Sequence, residues 1–147
     1  MTTVNYIKDI RARLRASISS KSNNTVFFKI GAGNYAEHDK FIGVSVPELR
    51  KIAIEYQALN LKFLQPLIES KVNEERLLAL IILGKQYAKA APDMQVSIFD
   101  FYIQNITHVN NWNLVDSSAH IIIGAHLLSR NKDLLLDLAK SKIIWER

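Results

Sequence analysis

Asn73-Glu74-Glu75-Arg76-Leu77-Leu78-Ala79-Leu80-Ile81-Ile82-Leu83 is the stretch on which the fold turns. It opens as a helix would. Asn73 offers a capping side chain, and Glu74 and Glu75 occupy the first turn, where the positive end of the helix dipole favours carboxylates. From Leu77 to Leu83 every residue is apolar, which predicts a helix buried on more than one side.

Upstream, Ser45-Val46-Pro47-Glu48 predicts another helix start. Ser45 can cap while Glu48 reaches back, and Pro47 sits in the first turn, where its missing N–H costs nothing. That helix is predicted over about residues 46–56 with Leu49, Ile52 and Ala53 inward, and a second over about 61–70 follows a short turn. Nearer the N-terminus, Ile7, Ile10, Leu14 and Ile18 recur at three- and four-residue spacing, so residues 4–19 read as an amphipathic helix with arginines between the apolar positions. Residues 17–24 are polar and predict a turn, and the apolar run 25–30 fits strand or helix equally. Gly31-Ala32-Gly33-Asn34-Tyr35 breaks regular structure, and no Gly-Lys-Ser/Thr follows to make it a phosphate-gripping loop.

Downstream, Ala91-Pro92-Asp93 separates the buried helix from one over 94–106, striped by Val96, Ile98, Phe99, Tyr102, Ile103 and Ile106. Then comes Asn110-Asn111-Trp112-Asn113-Leu114-Val115-Asp116, an asparagine-capped helix predicted to run to Ser129. Leu114, Ser118, Ile121, Ala125 and Leu128 share one face and are its expected core side. Trp112 and Asp116, four residues apart, share the other face. Asn131 caps a further helix over 133–140, and Ser141 begins an element that reaches Trp145-Glu146-Arg147.

No strand ladder is predicted. Three helix pairs, over 46–70, 74–107 and 111–140, begin 28 and 37 residues apart, near the repeat length of α-solenoids. The expected fold class is all-α, an α-solenoid of stacked antiparallel helix pairs in a single domain over 1–147; a compact irregular bundle is the alternative. A solenoid end requires a polar outer face, whereas Ile143-Ile144-Trp145 resembles the apolar opening of another helix. The expectation is therefore a chain truncated at its C-terminal side, the N-terminal part of a longer parent.

Composition narrows the chemistry. The absence of cysteine excludes disulfides, thiolate metal sites and cysteine nucleophiles, and suits a reducing, cytoplasmic setting. No apolar run approaches the roughly 18 residues of a membrane span, and Met1-Thr2-Thr3-Val4-Asn5 lacks the apolar core of a signal peptide. His38, His108, His120 and His126 have no metal-ligand spacing. The net charge of +5 is concentrated: residues 1–30 carry six basic side chains against Asp9 alone, leaving thirteen of each sign elsewhere. Such a segment fits a polyanion, most simply nucleic acid, or equally a solvated helix face.

Five collinear pieces resemble one family. They are Gly33-Asn34-Tyr35 with Asp39-Lys40-Phe41-Ile42-Gly43-Val44; Val46-Pro47-Glu48-Leu49-Arg50-Lys51; Glu74-Glu75-Arg76-Leu77-Leu78-Ala79-Leu80; Asn110 to Asp116; and Trp145-Glu146-Arg147. Together they resemble the DNA alkylation repair family, specifically the AlkD-like alkylpurine DNA glycosylases built on HEAT-like repeats. The resemblance implies a HEAT-like solenoid that hydrolyses the N-glycosidic bond of cationic N3- or N7-alkylated purines in duplex DNA without base flipping. It implies that Trp112 stacks and Asp116 is the catalytic carboxylate, both in a concave, positively charged groove. DNA-contacting roles would fall to Tyr35, Arg50, Lys51 and Arg147, with no cofactor and no metal, in a monomer. The family's second groove tryptophan and several basic residues belong to later repeats, which this chain does not contain.

The pair suits a cationic substrate on chemical grounds. An alkylated purine leaves as a neutral base and hands its positive charge to the sugar. An anion beside that sugar at ~4 Å, with an effective dielectric of ~20, attracts it by about 4 kcal/mol, roughly a thousandfold in rate if felt mainly in the transition state. An indole face adds ~0.5–2 kcal/mol by cation–π contact. Because the charged base is already a good leaving group, no strong general acid is required, and removal of neutral bases is not expected.

Residue type alone leaves other roles open. A tryptophan at a helix start is more often core, an aspartate more often a surface carboxylate, and Trp145 reads as core. His120 continues the face of Asp116 but fits an ordinary packed histidine as well. Tyr35 fits packing across a helix end, and Arg50, Lys51, Arg11, Arg13 and Arg15 fit a solvated face. Two functions besides glycosylase therefore compete: a non-catalytic DNA-binding relative, and a HEAT-like protein-interaction scaffold.

Overall fold

Apolar spacing places the helices where the core needs them. The computed structural model describes residues 3–19 and 28–147, so half of the ambiguous apolar run, 25–27, lies outside the described residues. Helix α1 spans Thr3–Ala16 and buries Ile7, Ile10 and Leu14. Helix α2 (Val46–Glu55) buries Leu49, Ile52 and Ala53, and α3 (Leu61–Ile68) buries Leu64, Leu67 and Ile68. The long central α4 (Asn73–Lys89) lies beneath them and α5 (Pro92–Gln104) follows, burying Ile98, Phe101 and Tyr102. A 3-10 turn at Ile106–His108 leads to α6 (Trp112–Ala119), a π-helical segment (His120–Gly124), a single turn α7 (Ala125–Leu127) and α8 (Asp133–Leu138).

Helix α4 is the hub. It packs against α2 and α3 on one side and against α6 and the π segment on another, with α5 also in contact. Leu77, Leu78, Ala79, Leu80, Ile82 and Leu83 are all buried, as the unbroken apolar run requires. Full burial of one such side chain contributes about 1.5–3 kcal/mol. Among the described residues there is no strand, only a lone parallel bridge between Lys40 and Val72. The chain is all-helical, with helices stacked in chain order as in an α-solenoid.

The expected core face of α6 holds for one turn and then shifts. Leu114 and Ser118 are buried, but Leu128 is 78% exposed and the buried residues become Ile122, Ile123, His126 and Leu127. The π-helical segment explains the change, since each i→i+5 bond adds a residue to the turn and rephases everything after it. Gly84 of α4 lets this segment approach, because a Cβ there would meet Ile121 Cγ2 at 3.3 Å.

Three expected caps are used differently. Ser45 stands at the N-cap of α2 without a side-chain capping bond, and Glu48 takes Lys51 Nζ at 2.5 Å instead of reaching back. Val72, not Asn73, is the N-cap of α4. Asn111 is the N-cap of α6, but its side chain turns away from the helix. Asn73 and Asn111 both donate to Asp39 Oδ2, at 2.9 and 2.6 Å. Asp39 also pairs with Arg76, whose Nη1 donates to the Ser70 carbonyl at 2.6 Å. Glu74 accepts from the backbone N–H of Ile42 (3.1 Å) and Gly43 (2.9 Å), and Gly43 meets it in a left-handed conformation (φ 86°) that favours glycine. The loop 39–43 is thereby fastened to the start of α4 and the start of α6.

Part of the N-terminal positive charge is also used inside the fold. Arg11 grips the largely buried Glu75 with Nε and Nη2 (2.9 Å), and Arg13 grips Glu55 with Nε (3.1 Å) and Nη2 (2.9 Å). Those two arginines clamp α1 to its neighbours. Arg15 remains exposed.

Candidate active site

The first turns of α6 set out the site. Asn113, one residue into the helix, exchanges amide hydrogen bonds with Asn73, donating at 2.7 Å and accepting at 3.3 Å. Together with the Asn111–Asp39 bond, this fixes the rotation of α6 against α4. The face left outward carries Trp112, 43% exposed, and Asp116, also exposed.

Two adjoining hollows meet at Asp116. One, of about 290 Å³, is lined by Phe28, Phe41, Leu49, Trp112, Asn113 and others. The second, of about 520 Å³, is lined by Arg50, Gly84, Lys85, His120 and Ile121 among others. Val46, Asp116 and Ser117 line both, so the two form one groove between α2, α4 and α6. Among the described residues, the Asp116 carboxylate makes no hydrogen bond or ion pair, and neither do the cationic groups of Arg50 and Lys85. A carboxyl group and an indole thus line one groove that also holds the unpaired side chains of Arg50 and Lys85.

The indole is held on two sides. Its Nε1–H donates to the Tyr35 hydroxyl at 3.2 Å, and Tyr35 meets Trp145 edge-on with ring centroids 6.0 Å apart. Phe28 stacks on the indole at 5.2 Å and 19°, and on Phe41 at 4.4 Å and 22°. Nothing in the sequence marks Phe28 or Phe41 as part of a site. Only the fold brings a ring from residue 28 onto one at residue 112.

The remaining candidates are dispersed. Arg50 and His120 line the groove, although no hydrogen bond joins His120 to Asp116. Lys51 pairs with Glu48 across one helical turn. Arg147 lines a separate hollow of about 230 Å³ with Val115, Ile123 and Trp145, on another side of α6. Tyr35 reaches the site through Trp112. His126 is a core residue: its Nδ1 meets the Tyr87 hydroxyl at 3.1 Å, and its ring stacks on Phe99 at 4.1 Å. Burial, with Arg130 nearby, lowers its pKa from the ordinary 6.5. Among the described residues no cluster of metal-ligating side chains occurs, and no helix is long and apolar enough to cross a membrane.

Fold and groove define a class: an all-α protein of stacked helices whose candidate site lies on an open, helix-lined surface. Residues 10–147 match the family described as DNA alkylation repair enzyme, and the chain belongs to that family. No curated protein and no solved structure matches the chain.

Proposed function

We propose that the chain acts on duplex DNA as a glycosylase, hydrolysing the N-glycosidic bond of cationic N3- and N7-alkylated purines while the base stays outside any enclosed pocket. Asp116 steadies the positive charge that passes to the deoxyribose and orients the attacking water. Trp112 lies against the lesion nucleotide, and Arg50 contributes to holding the phosphate backbone. The observation that carries this reading is the exposed, unpaired Asp116 carboxylate beside an exposed indole in one open groove. The groove's openness supports chemistry on a nucleotide left in the duplex, since a flipped base would need a closed receptacle. The expected setting is the cytoplasm.

Charge discriminates this reading from its competitors. Duplexes bearing 7-methylguanine are expected to release free base on incubation with the protein, whereas duplexes bearing neutral hypoxanthine are not. Salt-sensitive binding without release of either base would leave a non-catalytic DNA-binding relative, and absence of both would leave a protein-interaction scaffold.

A further inference from the structure

Outside the groove, one end of the helical stack gathers positive charge. Here the loop 38–40, the connection between α3 and α4, and the connection between α5 and α6 come together around a hollow of about 440 Å³. His38, Lys40, Lys71, Arg76 and His108 all line it. The opposing carboxylate is Glu69, which accepts from Gln65 Nε2 at 2.7 Å. Lys40 and Lys71 are exposed, and their ammonium groups have no partner among the described residues.

The two segments that carry these lysines are joined through their backbones. Lys40 N–H donates to the Lys71 carbonyl at 3.0 Å and the Lys40 carbonyl accepts from Asn73 N–H at 2.8 Å, so the backbones of the two lysines run side by side. Beneath them the Asp39–Arg76 pair is buried, with each partner no more than 3% exposed at its side chain. Both lysines line the one hollow, where an anion would offset the repulsion between their charges. The fold keeps them together although the network below needs only the backbone of Lys40 and the side chain of Asp39.

We infer that this hollow is a phosphodiester-binding subsite, which seats the backbone of the same DNA strand whose lesion lies at Trp112. The inference rests on the DNA reading above and extends it to residues outside the groove. Asn110 also lines the hollow and is two residues from Trp112, so the walls of the two places adjoin, with the Cα atoms of these two residues at most ~7 Å apart. A strand rising about 3.4 Å per nucleotide therefore passes from one place to the other within a few nucleotides. Asp39 links the two sites physically, because it accepts from Asn111 while its chain neighbours His38 and Lys40 line the hollow. Occupancy of the hollow would hold α6 and its carboxylate in register with the strand.

The test is a salt titration of duplex binding. A Lys40→Gln/Lys71→Gln variant keeps every backbone bond and is compared with wild type and with a charge-matched Lys132→Gln/Lys142→Gln variant, whose lysines are exposed and line neither the groove nor this hollow. Removing one lysine that neutralises a phosphate lowers the slope of log affinity against log salt by about 0.9. The Lys40/Lys71 variant is therefore expected to show a slope smaller by about 2, and the Lys132/Lys142 variant an unchanged one. Equal reductions in both variants, or none in the first, would overturn the subsite while leaving DNA binding by the protein intact. A wild type that binds no DNA would bring down the glycosylase reading together with the subsite. A parallel titration with inorganic phosphate separates the sources of the anion. Saturable phosphate binding that depends on Lys40 and Lys71, with an unchanged DNA slope, would make the hollow a small-anion site and overturn the assignment to DNA.

Discussion

Asp39 bonds to the N-cap residue of α6, Asn111, and Asp116 lies one turn into that helix, yet their surroundings are opposite. The Asp39 side chain has no exposed area and is held by Arg76, Asn73 and Asn111. Asp116 is exposed and has no partner among the described residues. A carboxylate whose bonding is complete inside the protein specifies structure, whereas one left bare beside an aromatic ring is available to something that arrives. The first holds the platform on which the second is displayed.

The largest effect expected from breaking this contrast is on stability. Asp39→Ala leaves Arg76 buried without its counter-charge and should cost about 3–5 kcal/mol, read as a lower urea midpoint. Asp116→Ala, on an exposed face, should change stability by no more than about 0.5 kcal/mol. A comparable stability loss in the second variant would mean that Asp116 is also structural.

A smaller effect sharpens the aromatic half of the site. Phe28→Ala removes a ring stacked on Trp112, a pair worth about 0.5–1.5 kcal/mol beyond its buried area. In a Trp145→Phe background, the fluorescence of Trp112 should shift to the red as the uncovered face meets water. An unchanged spectrum would show that Tyr35 alone fixes the indole.

The smallest effect concerns pH. The folded pKa of His126 lies below its ordinary 6.5, because burial disfavours the charged ring. Protonation therefore favours the unfolded chain. The stability this histidine allows is fully present above the unfolded value and declines as pH falls from about 6.5 toward the folded one. His126→Gln should flatten that acid-side decline in urea midpoints measured between pH 7 and 5. A decline as steep as that of wild type would assign it to other groups.

The sequence is readable where one helix makes its own argument. Apolar spacing is enough to place Ile7, Ile10 and Leu14 inward, to bury Leu49, Ile52 and Ala53, and to predict that residues 77–83 are covered on several sides. Trp112 and Asp116 fall on one face for the same reason. Polar residues are harder, because their partners are 34 to 72 residues away: Asn73 and Asn111 offer plausible caps and instead bind Asp39. Arg11 reads as free positive charge and instead meets Glu75, 64 residues on. The rephasing at His120–Gly124 has no marker in apolar spacing, since Ile121, Ile122 and Ile123 offer an apolar side chain to either phase. Phe28 over Trp112 and the lysines at 40 and 71 require the tertiary fold to bring them together.

The central claim is that Asp116 supplies the negative charge felt by the sugar as the base departs. Its most direct test is single-turnover release of 7-methylguanine from duplex DNA by wild type and Asp116→Asn, each at saturating protein. The account predicts a rate lower by roughly a thousandfold in the variant, equivalent to about 4 kcal/mol, with duplex affinity nearly unchanged. Equal release by both proteins would contradict it.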